Sequence, residues 1–455
     1  MPRLRPGDEL TITIDDLAFG GSGVGRHDGF VIFCPDTAPG DRVRMRVRKR
    51  KRRHAEAELV EVLDAGPARV DPPCPYVPRC GGCRLQHLDY ELTLEAKRRQ
   101  IAEHLIRIGG LARVDVRPTE PAVSQFGYRN KMEYSAFDSE DGVCLGFHER
   151  GRWDRMVGLD ACLLATPLGN AARDTVAAWA RREALNGWDR REHTGQLRHV
   201  VIREGIATDE LLVTIVSSSG CDGAVDRLAD TLSTAHPQLV GLLHSVSDGV
   251  AETTADLPTR VVWGSSRFRE RVRGVTLELS AEAFFQTNTL MTEPLYEHVA
   301  RAAQLDGTQV VYDLFAGVGS IGICLAEGAR EIVAIEIAAA AVEDARRNAA
   351  ANGVGNHTAI AGDVRVVLRE RGTEFPPPDV VVVDPPRAGL SGGACRRVLE
   401  AVPPVLVYVS CQPATFADNA KRFVDGGYRL EYVQPVDMFP QTPHVEAVAR
   451  FVRSG

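Results

Sequence analysis

The stretch QVVYDLFAGVGSIGICLA, residues 309–326, leaves this chain few folds to choose from. It reads as an apolar strand, a glycine-rich turn and the start of an apolar helix. Gly317, Gly319 and Gly322 spell G-x-G-x-x-G, and EIVAIEI follows as a second strand that closes on Glu336. Strand, turn, helix and strand in that order begin a doubly wound α/β sheet, whose ligand lies outside the carboxyl ends of the strands. Taken alone, the pattern serves a nicotinamide dinucleotide as well as S-adenosylmethionine. Two details favour the second. Asp313 stands four residues before the first glycine, where a carboxylate suits an ammonium and a sulfonium better than a pyrophosphate. Further on, VVVVDPPRAGL ends another buried strand with Asp384-Pro385-Pro386-Arg387, which hydride transfer does not need.

The residue after the proline pair bears on the target atom. Enzymes that methylate exocyclic amines usually put an aromatic there to stack on the base, and this chain has Arg387. Carbon 5 of a pyrimidine is a different problem: it becomes nucleophilic only after a thiolate adds to carbon 6. Such chemistry needs a cysteine beside the cofactor and a base for the carbon-5 proton. VYVSCQPATF puts Cys411 at the end of the strand after Asp384, and PHVEAVARF puts Glu446 at the head of a closing strand. A lone cysteine is more often a small buried hydrophobe; its neighbours here favour catalysis.

The rest of the chain has a different character. At 455 residues it is too long for one ordinary core. No apolar run approaches the ~20 residues that span a bilayer, and MPRLRPGDEL lacks the apolar core of a signal peptide. Ten scattered cysteines do not read as a disulfide framework, so a reducing cytoplasm is expected, with no membrane partner. The net charge is −7, yet residues 42–53 hold nine Lys or Arg in twelve positions. Arg42, Arg44, Arg46 and Arg48 alternate with Val43, Met45 and Val47, a period that puts the arginines on one face of a strand. A basic face on an acidic chain reads as a phosphate-binding surface rather than a solvated edge. Around it, ELTITIDDL, GFVIFCP and AEAELVEVL are further short strands, separated by GGSGVGRHDG and DTAPGD as turns. Together they suggest a small oligonucleotide-binding barrel.

CPYVPRCGGC follows, with Cys74, Cys80 and Cys83 spaced C-x5-C-x2-C. The fourth ligand for a metal centre is sought in Cys162, and spacing alone fits zinc and an iron–sulfur cluster equally. Cys34, Cys144, Cys221, Cys324 and Cys395 have no such spacing. Residues 88–110 read as a helix ending at Gly109-Gly110. FGYRNKMEYSAF and LGFHERGRWDR then gather Arg129, Lys131, Arg150 and Arg152 among aromatics, a composition suited to single-stranded RNA.

In this order, these features resemble the RNA uracil-5-methyltransferase family in its TRAM-bearing, iron–sulfur branch: a TRAM-like segment, C-x5-C-x2-C with a distant cysteine, FFQ-x-N, the glycine-rich turn, DPPR, S-C-x-P and H-x-E. The resemblance implies an α/β fold in three parts. They are a TRAM or OB-like barrel over 1–63, a central α+β domain over 64–280, and a doubly wound, Rossmann-like methyltransferase domain over 281–455. It implies that Cys74, Cys80, Cys83 and Cys162 hold a 4Fe–4S cluster, and that Gln286, Phe315, Gly317, Gly319, Ser320, Glu336, Asp363 and Asp384 line S-adenosylmethionine. Glu336 then holds the ribose hydroxyls, Asp363 meets the adenine, Cys411 is the nucleophile and Glu446 the base. The helix after the cluster can pack on the catalytic domain in this family. Two positions depart from the pattern: Gln412 replaces the usual Asn between Cys and Pro, and Ser320 stands where relatives often carry Asn. The implied partner is RNA, ribosomal RNA ahead of transfer RNA, acted on by a monomer. A non-catalytic RNA-binding iron–sulfur protein and a dehydrogenase are the competing classes.

Overall fold

The structure is a computed structural model that describes residues 4–454. Five strands, β1 (Glu9–Leu17), β2 (Gly23–His27), β3 (Phe30–Cys34), β4 (Arg42–Arg50) and β5 (His54–Asp64), close a barrel in the order β1-β2-β3-β5-β4. Alternation along β4 sends Val43, Met45 and Val47 into its core, beside Ile12, Ile14 and Ile32. Strand β2 lies inside the stretch expected to be a turn. Its glycines mark close packing rather than a bend: a Cβ on Gly25 would come within 2.6 Å of Ile12 Cδ1, and one on Gly23 within 2.1 Å of Thr37 Oγ1.

The outward face of β4 is not the free cationic surface its sequence suggests. Arg42 pairs with Asp64 at 3.2 Å, Arg44 with Glu61 at 2.9 Å, Arg46 with Glu9 at 2.8 Å, and Arg48 with Glu58 at 3.0 Å. Four arginines meet four carboxylates, while among the described residues Lys49, Arg50, Arg52 and Arg53 at the end of the same run make no ion pair.

After the barrel come α1 (Tyr90–Arg107), with Asp89 capping it through the Leu92 N–H, and the short β6 (Asp115–Val116). A seven-stranded sheet follows, built from β7 (Lys131–Ser139), β8 (Gly142–His148), β9 (Met156–Gly158), β10 (Leu197–Gly205), β11 (Glu210–Ser217), β12 (Leu239–Val246) and β13 (Thr259–Gly264). Helices α2 (Pro167–Arg182) and α3 (Asp222–Ala235) share one core with it. The hairpin β14 (Arg267–Val272) and β15 (Val275–Ser280) leads to α4 (Thr289–Ala303).

The last part alternates strand and helix: β16 (Val310–Leu314), α5 (Ser320–Leu325), β17 (Glu331–Glu336), α6 (Ala339–Ala351), β18 (His357–Ala361), α7 (Val364–Glu370), β19 (Val380–Val383), α8 (Gly392–Ala401), β20 (Val405–Ser410) and α9 (Pro413–Asp425). Strands β21 (Tyr428–Val436) and β22 (Glu446–Arg453) finish it. The sheet order is β18-β17-β16-β19-β20-β22-β21-β6. Strand order reverses between β16 and β19, so the ligand crevice of an open α/β sheet falls at their carboxyl ends. Two pieces from far upstream complete this layer. Residues 115–116 pair in parallel with β21, and Ile101 and Leu105 of α1 join the core that holds Phe416 and Ala420 of α9. Among the described residues no helix is long and apolar enough to cross a membrane.

Candidate active site

Of the residues named from sequence for the cofactor, Phe315, Gly317, Gly319 and Ser320 lie in the turn after β16, Gln286 lies just before α4, and Glu336, Asp363 and Asp384 lie at or just past the carboxyl ends of β17, β18 and β19. Leaving β16, Phe315 has φ +64°, a left-handed conformation that costs a bulky residue energy, and Gly317 and Gly319 also have positive φ. The Gly317 N–H donates to Glu336 Oε2 at 3.0 Å, and the Ala338 N–H to Oε1 at 2.8 Å, so Glu336 braces the turn from the end of β17. Asp313 is buried within β16 and accepts the Gly322 N–H at 2.9 Å through Oδ2, while Oδ1 is buried without a partner. Burial pushes its carboxyl up to about 7 against that hydrogen bond, and the Asp384 and Glu336 charges add to the rise. Ser320 opens α5, and its hydroxyl meets the buried Tyr296 hydroxyl at 2.6 Å. Gln286 is buried just before α4, where Asn130 Nδ2 donates to its backbone oxygen at 2.9 Å.

Asp363 has local duties that its sequence position does not advertise. It caps α7 through the Arg365 N–H at 2.8 Å and pairs with the Arg365 guanidinium at 2.6 Å. That hydrogen bond holds its carboxyl down to about 2.

Cys411 and Glu446 meet across two antiparallel strands. Ser410 is registered with Ala447, so Cys411 and Glu446 are the next residue on each strand. Burial, then the neighbouring Glu446 and Asp384, push the Cys411 thiol up to about 12, against Arg387. Glu446 is buried and raised well above the carboxylate range by burial and by Asp384, again against Arg387. Burial pushes Asp384 up to about 7. Gln412, at the departure from the family pattern, occupies the cap position of α9 without a side-chain capping bond, and its Oε1 is buried and unpartnered.

The loop between β21 and β22 carries Glu446, and its tethers were not legible in the sequence. Lys97 Nζ of α1 meets Asp437 Oδ1 at 2.5 Å in the interior, and the half-buried Tyr90 donates from Oη to Asp437 Oδ2 at 2.8 Å. Asn288 caps α4 through the Met291 N–H and donates from Nδ2 to the Met438 oxygen at 3.0 Å. The Tyr128 hydroxyl donates to the Pro440 oxygen at 3.0 Å, and the Arg84 and Leu85 N–H groups donate to the Gln441 oxygen at 3.0 and 3.2 Å. Asn288 sits two residues after Gln286 in FFQTN and could have been singled out on that ground. Lys97 and Asp437 lie 340 residues apart, and no local pattern links them.

Cys74, Cys80, Cys83 and Cys162 line one cavity of about 310 Å³ with apolar walls that include Phe147 and Leu164. All four are free thiols. They surround a volume rather than a point: among the described residues no three His, Cys, Asp or Glu side chains draw together closely enough for a single metal ion.

Comparison with known proteins agrees with this architecture. A family model described as tRNA (Uracil-5-)-methyltransferase matches residues 266–453, and one described as TRAM domain matches residues 3–60. An uncharacterized RNA methyltransferase of Halalkalibacterium halodurans is 34% identical over 97% of this chain and 96% of its own. Another from Nitratidesulfovibrio vulgaris is 38% identical over 98% of this chain and 97% of its own. Among solved structures, the tRNA (uracil-54, C5)-methyltransferase of Pyrococcus abyssi in complex with S-adenosyl-L-homocysteine is 31% identical. It superposes with a TM-score of 0.77 over 97% of this chain and 99% of its own. This chain belongs to the RNA uracil-5-methyltransferase family, S-adenosylmethionine-dependent enzymes that here carry an N-terminal TRAM domain.

Proposed function

We propose that the enzyme methylates carbon 5 of a uridine through a covalent bond between Cys411 and the base, with Glu446 as the base that ends the cycle. The observation that carries this is that β20 and β22 pair up to Ser410 and Ala447, so Cys411 and the buried Glu446 are the next residue on each strand, with charge reach between them and to Asp384. The Cys411 thiol gives its proton to solvent and the sulfur adds to carbon 6, breaking the π bond between carbons 5 and 6 and sending its electrons to the oxygen on carbon 4. Carbon 5 then takes the methyl group that S-adenosylmethionine supplies, leaving S-adenosylhomocysteine. Glu446, as carboxylate, removes the carbon-5 proton, the double bond re-forms, and the sulfur leaves. A thiol held near 12 and a carboxyl raised by burial are both resting forms. A sulfonium bound beside them favours their ionised states, so chemistry is tied to occupancy.

For the cofactor, our reading takes Gln286, Phe315, Gly317, Gly319, Ser320, Glu336, Asp363 and Asp384. The unpartnered acceptor on Asp313 and the raised Asp384 carboxyl support a cationic ligand there. Cys74, Cys80, Cys83 and Cys162 are read as the ligands of a 4Fe–4S cluster, since four thiols around about 310 Å³ suit a cluster better than one ion. Methyl transfer moves no net electrons, so its part is structural. Bound there, it would hold the loop whose Arg84 and Leu85 N–H groups grip the segment leading to Glu446.

For the substrate we favour 23S ribosomal RNA, on the likeness of a TRAM-bearing, cysteine-bearing chain to enzymes of that kind. The second reading is transfer RNA, favoured by the likeness to the Pyrococcus abyssi enzyme. Mapping 5-methyluridine in both RNAs with and without the enzyme decides between them. For the covalent step, Cys411→Ala should abolish methylation and form no adduct. Glu446→Gln should add, methylate and stall, leaving a protein–RNA band that survives denaturing electrophoresis and needs both RNA and S-adenosylmethionine. An adduct formed by Cys411→Ala, or rapid turnover by Glu446→Gln, would refute the assignment.

A further inference from the structure

The cationic residues that the sequence offers for RNA are mostly spent on carboxylates of the chain itself. All four alternating arginines of β4 are paired, and so are Lys131 with Glu133, Arg150 with Asp36, and Arg152 with Asp154. Arg84, Arg129 and Arg387 are different. Among the described residues none of the three makes an ion pair, and Arg129 has its Nε buried without a hydrogen-bond partner.

These three come from distant parts of the chain to one place. The Arg84 N–H is bonded to the Gln441 oxygen, and the neighbour of Arg129, Tyr128, is bonded to the Pro440 oxygen, so both arginines border the loop that leads to Glu446. Arg387 follows Asp384-Pro385-Pro386 and lies within charge reach of Cys411 and Glu446. His444, on the same loop, lies within charge reach of all three: burial first, then Arg387, the buried Lys97, Arg84 and Arg129, bring its ring down to about 4. Lys97 already has Asp437 as partner. Three unmatched guanidinium groups beside a neutral imidazole lack only an anion.

We infer that Arg84, Arg129 and Arg387 form a phosphate-binding site at the mouth of the catalytic crevice, which takes the phosphodiester groups flanking the target uridine. The ligand is a phosphodiester of single-stranded RNA: forked guanidinium donors match phosphate oxygens, and a nucleotide must leave its stack to reach Cys411. The inference rests on the reading of this crevice as the place where an RNA nucleotide reacts. It adds an electrostatic grip at the site itself to that of the barrel, where the four alternating arginines of β4 are paired while, among the described residues, Lys49, Arg50, Arg52 and Arg53 make no ion pair.

The test measures binding without turnover. A single-stranded, uridine-containing oligoribonucleotide is titrated by fluorescence anisotropy, with no cofactor present, between roughly 50 and 200 mM salt. Each phosphate contact on a single strand contributes about 0.7 to the slope of log affinity against log salt. Arg84→Gln, on an exposed side chain, should flatten the slope by about 0.7, and the triple variant with Arg129→Gln and Arg387→Gln by about 2. Arg129 borders the cysteine cavity and Arg84 follows Cys83, so the slopes are compared between proteins of equal iron content. Replacing Arg44 and Glu61 together by Gln, one matched pair of the barrel, should leave the slope as it was. An unchanged slope in Arg84→Gln and in the triple variant overturns the inference, as does a loss confined to the barrel variant. Because no methyl is transferred, failure here is separate from failure of the uridine reading, which the 5-methyluridine map detects.

Discussion

Replacing Lys97 by methionine should loosen the loop that carries Glu446. Lys97 and Asp437 are both in the interior, joined at 2.5 Å, and among the described residues the only other side chain bonded to the carboxylate is Tyr90, at 2.8 Å. Methionine keeps most of the volume and removes the charge, leaving the buried Asp437 carboxyl with one neutral donor. Breaking a buried pair in this way costs about 3–5 kcal/mol. If the loop opens locally, that is a rise in amide exchange of roughly a hundredfold to a few thousandfold over residues 437–445, at tenfold per 1.4 kcal/mol. Hydrogen exchange followed by mass spectrometry reads it peptide by peptide, and the barrel peptides serve as an internal control. Lys97→Met combined with Asp437→Asn strands no charge and should recover most of the loss. A single variant that exchanges less than about fivefold faster, or a double variant no better than the single, would show that the ion pair does not hold this loop.

Iodoacetamide alkylation of Cys411 in the ligand-free enzyme should rise about tenfold per pH unit between roughly pH 7 and 9, because a thiol near 12 is far from half ionised there. A plateau within that range would show a thiolate already formed. Asp384, pushed up to about 7 by burial, is mostly protonated at pH 6 and mostly ionised at pH 8. If it faces the cationic cofactor, S-adenosylmethionine should bind more tightly as pH rises through about 7, by up to about tenfold, with protons released on binding. Titration calorimetry would refute this with an affinity that is flat or falls. Protein purified without air should carry about four irons per chain; one zinc per chain would sink the cluster.

The catalytic layer was legible because its signals are local. A glycine-rich turn between two β-branched runs, and a strand ending in Asp-Pro-Pro, each carry their meaning within a dozen residues. The barrel was legible through the alternation of β4 but only in part. Gly23 and Gly25 look like turn residues, and their need for closeness to Ile12 and Thr37 appears only once the barrel is closed. The neutralisation of the β4 arginines was hidden for a related reason. Glu9, Glu58, Glu61 and Asp64 sit on neighbouring strands, and a composition count cannot supply their register. Asp363 shows a third limit, since the residue matched to a ligand role also caps its own helix and pairs with Arg365. The grip of Lys97 on Asp437 needs the whole tertiary fold before it exists.

Helix α1 and β6 are made in the first quarter of the chain, yet they finish a sheet whose other strands are made last. On the ribosome these residues emerge long before β21 and α9, which cover Ile101 and Leu105 and pair with Val116. Contacts across 340 residues are slow to form, and a half-built sheet exposes an unpaired edge while it waits. The barrel and the seven-stranded sheet can close as they leave the tunnel; the catalytic layer cannot finish until translation is nearly over. Methylating capacity is thus the last property a newborn copy acquires, and a chain that stops short of its final strand lacks Glu446 along with the sheet that would have held it.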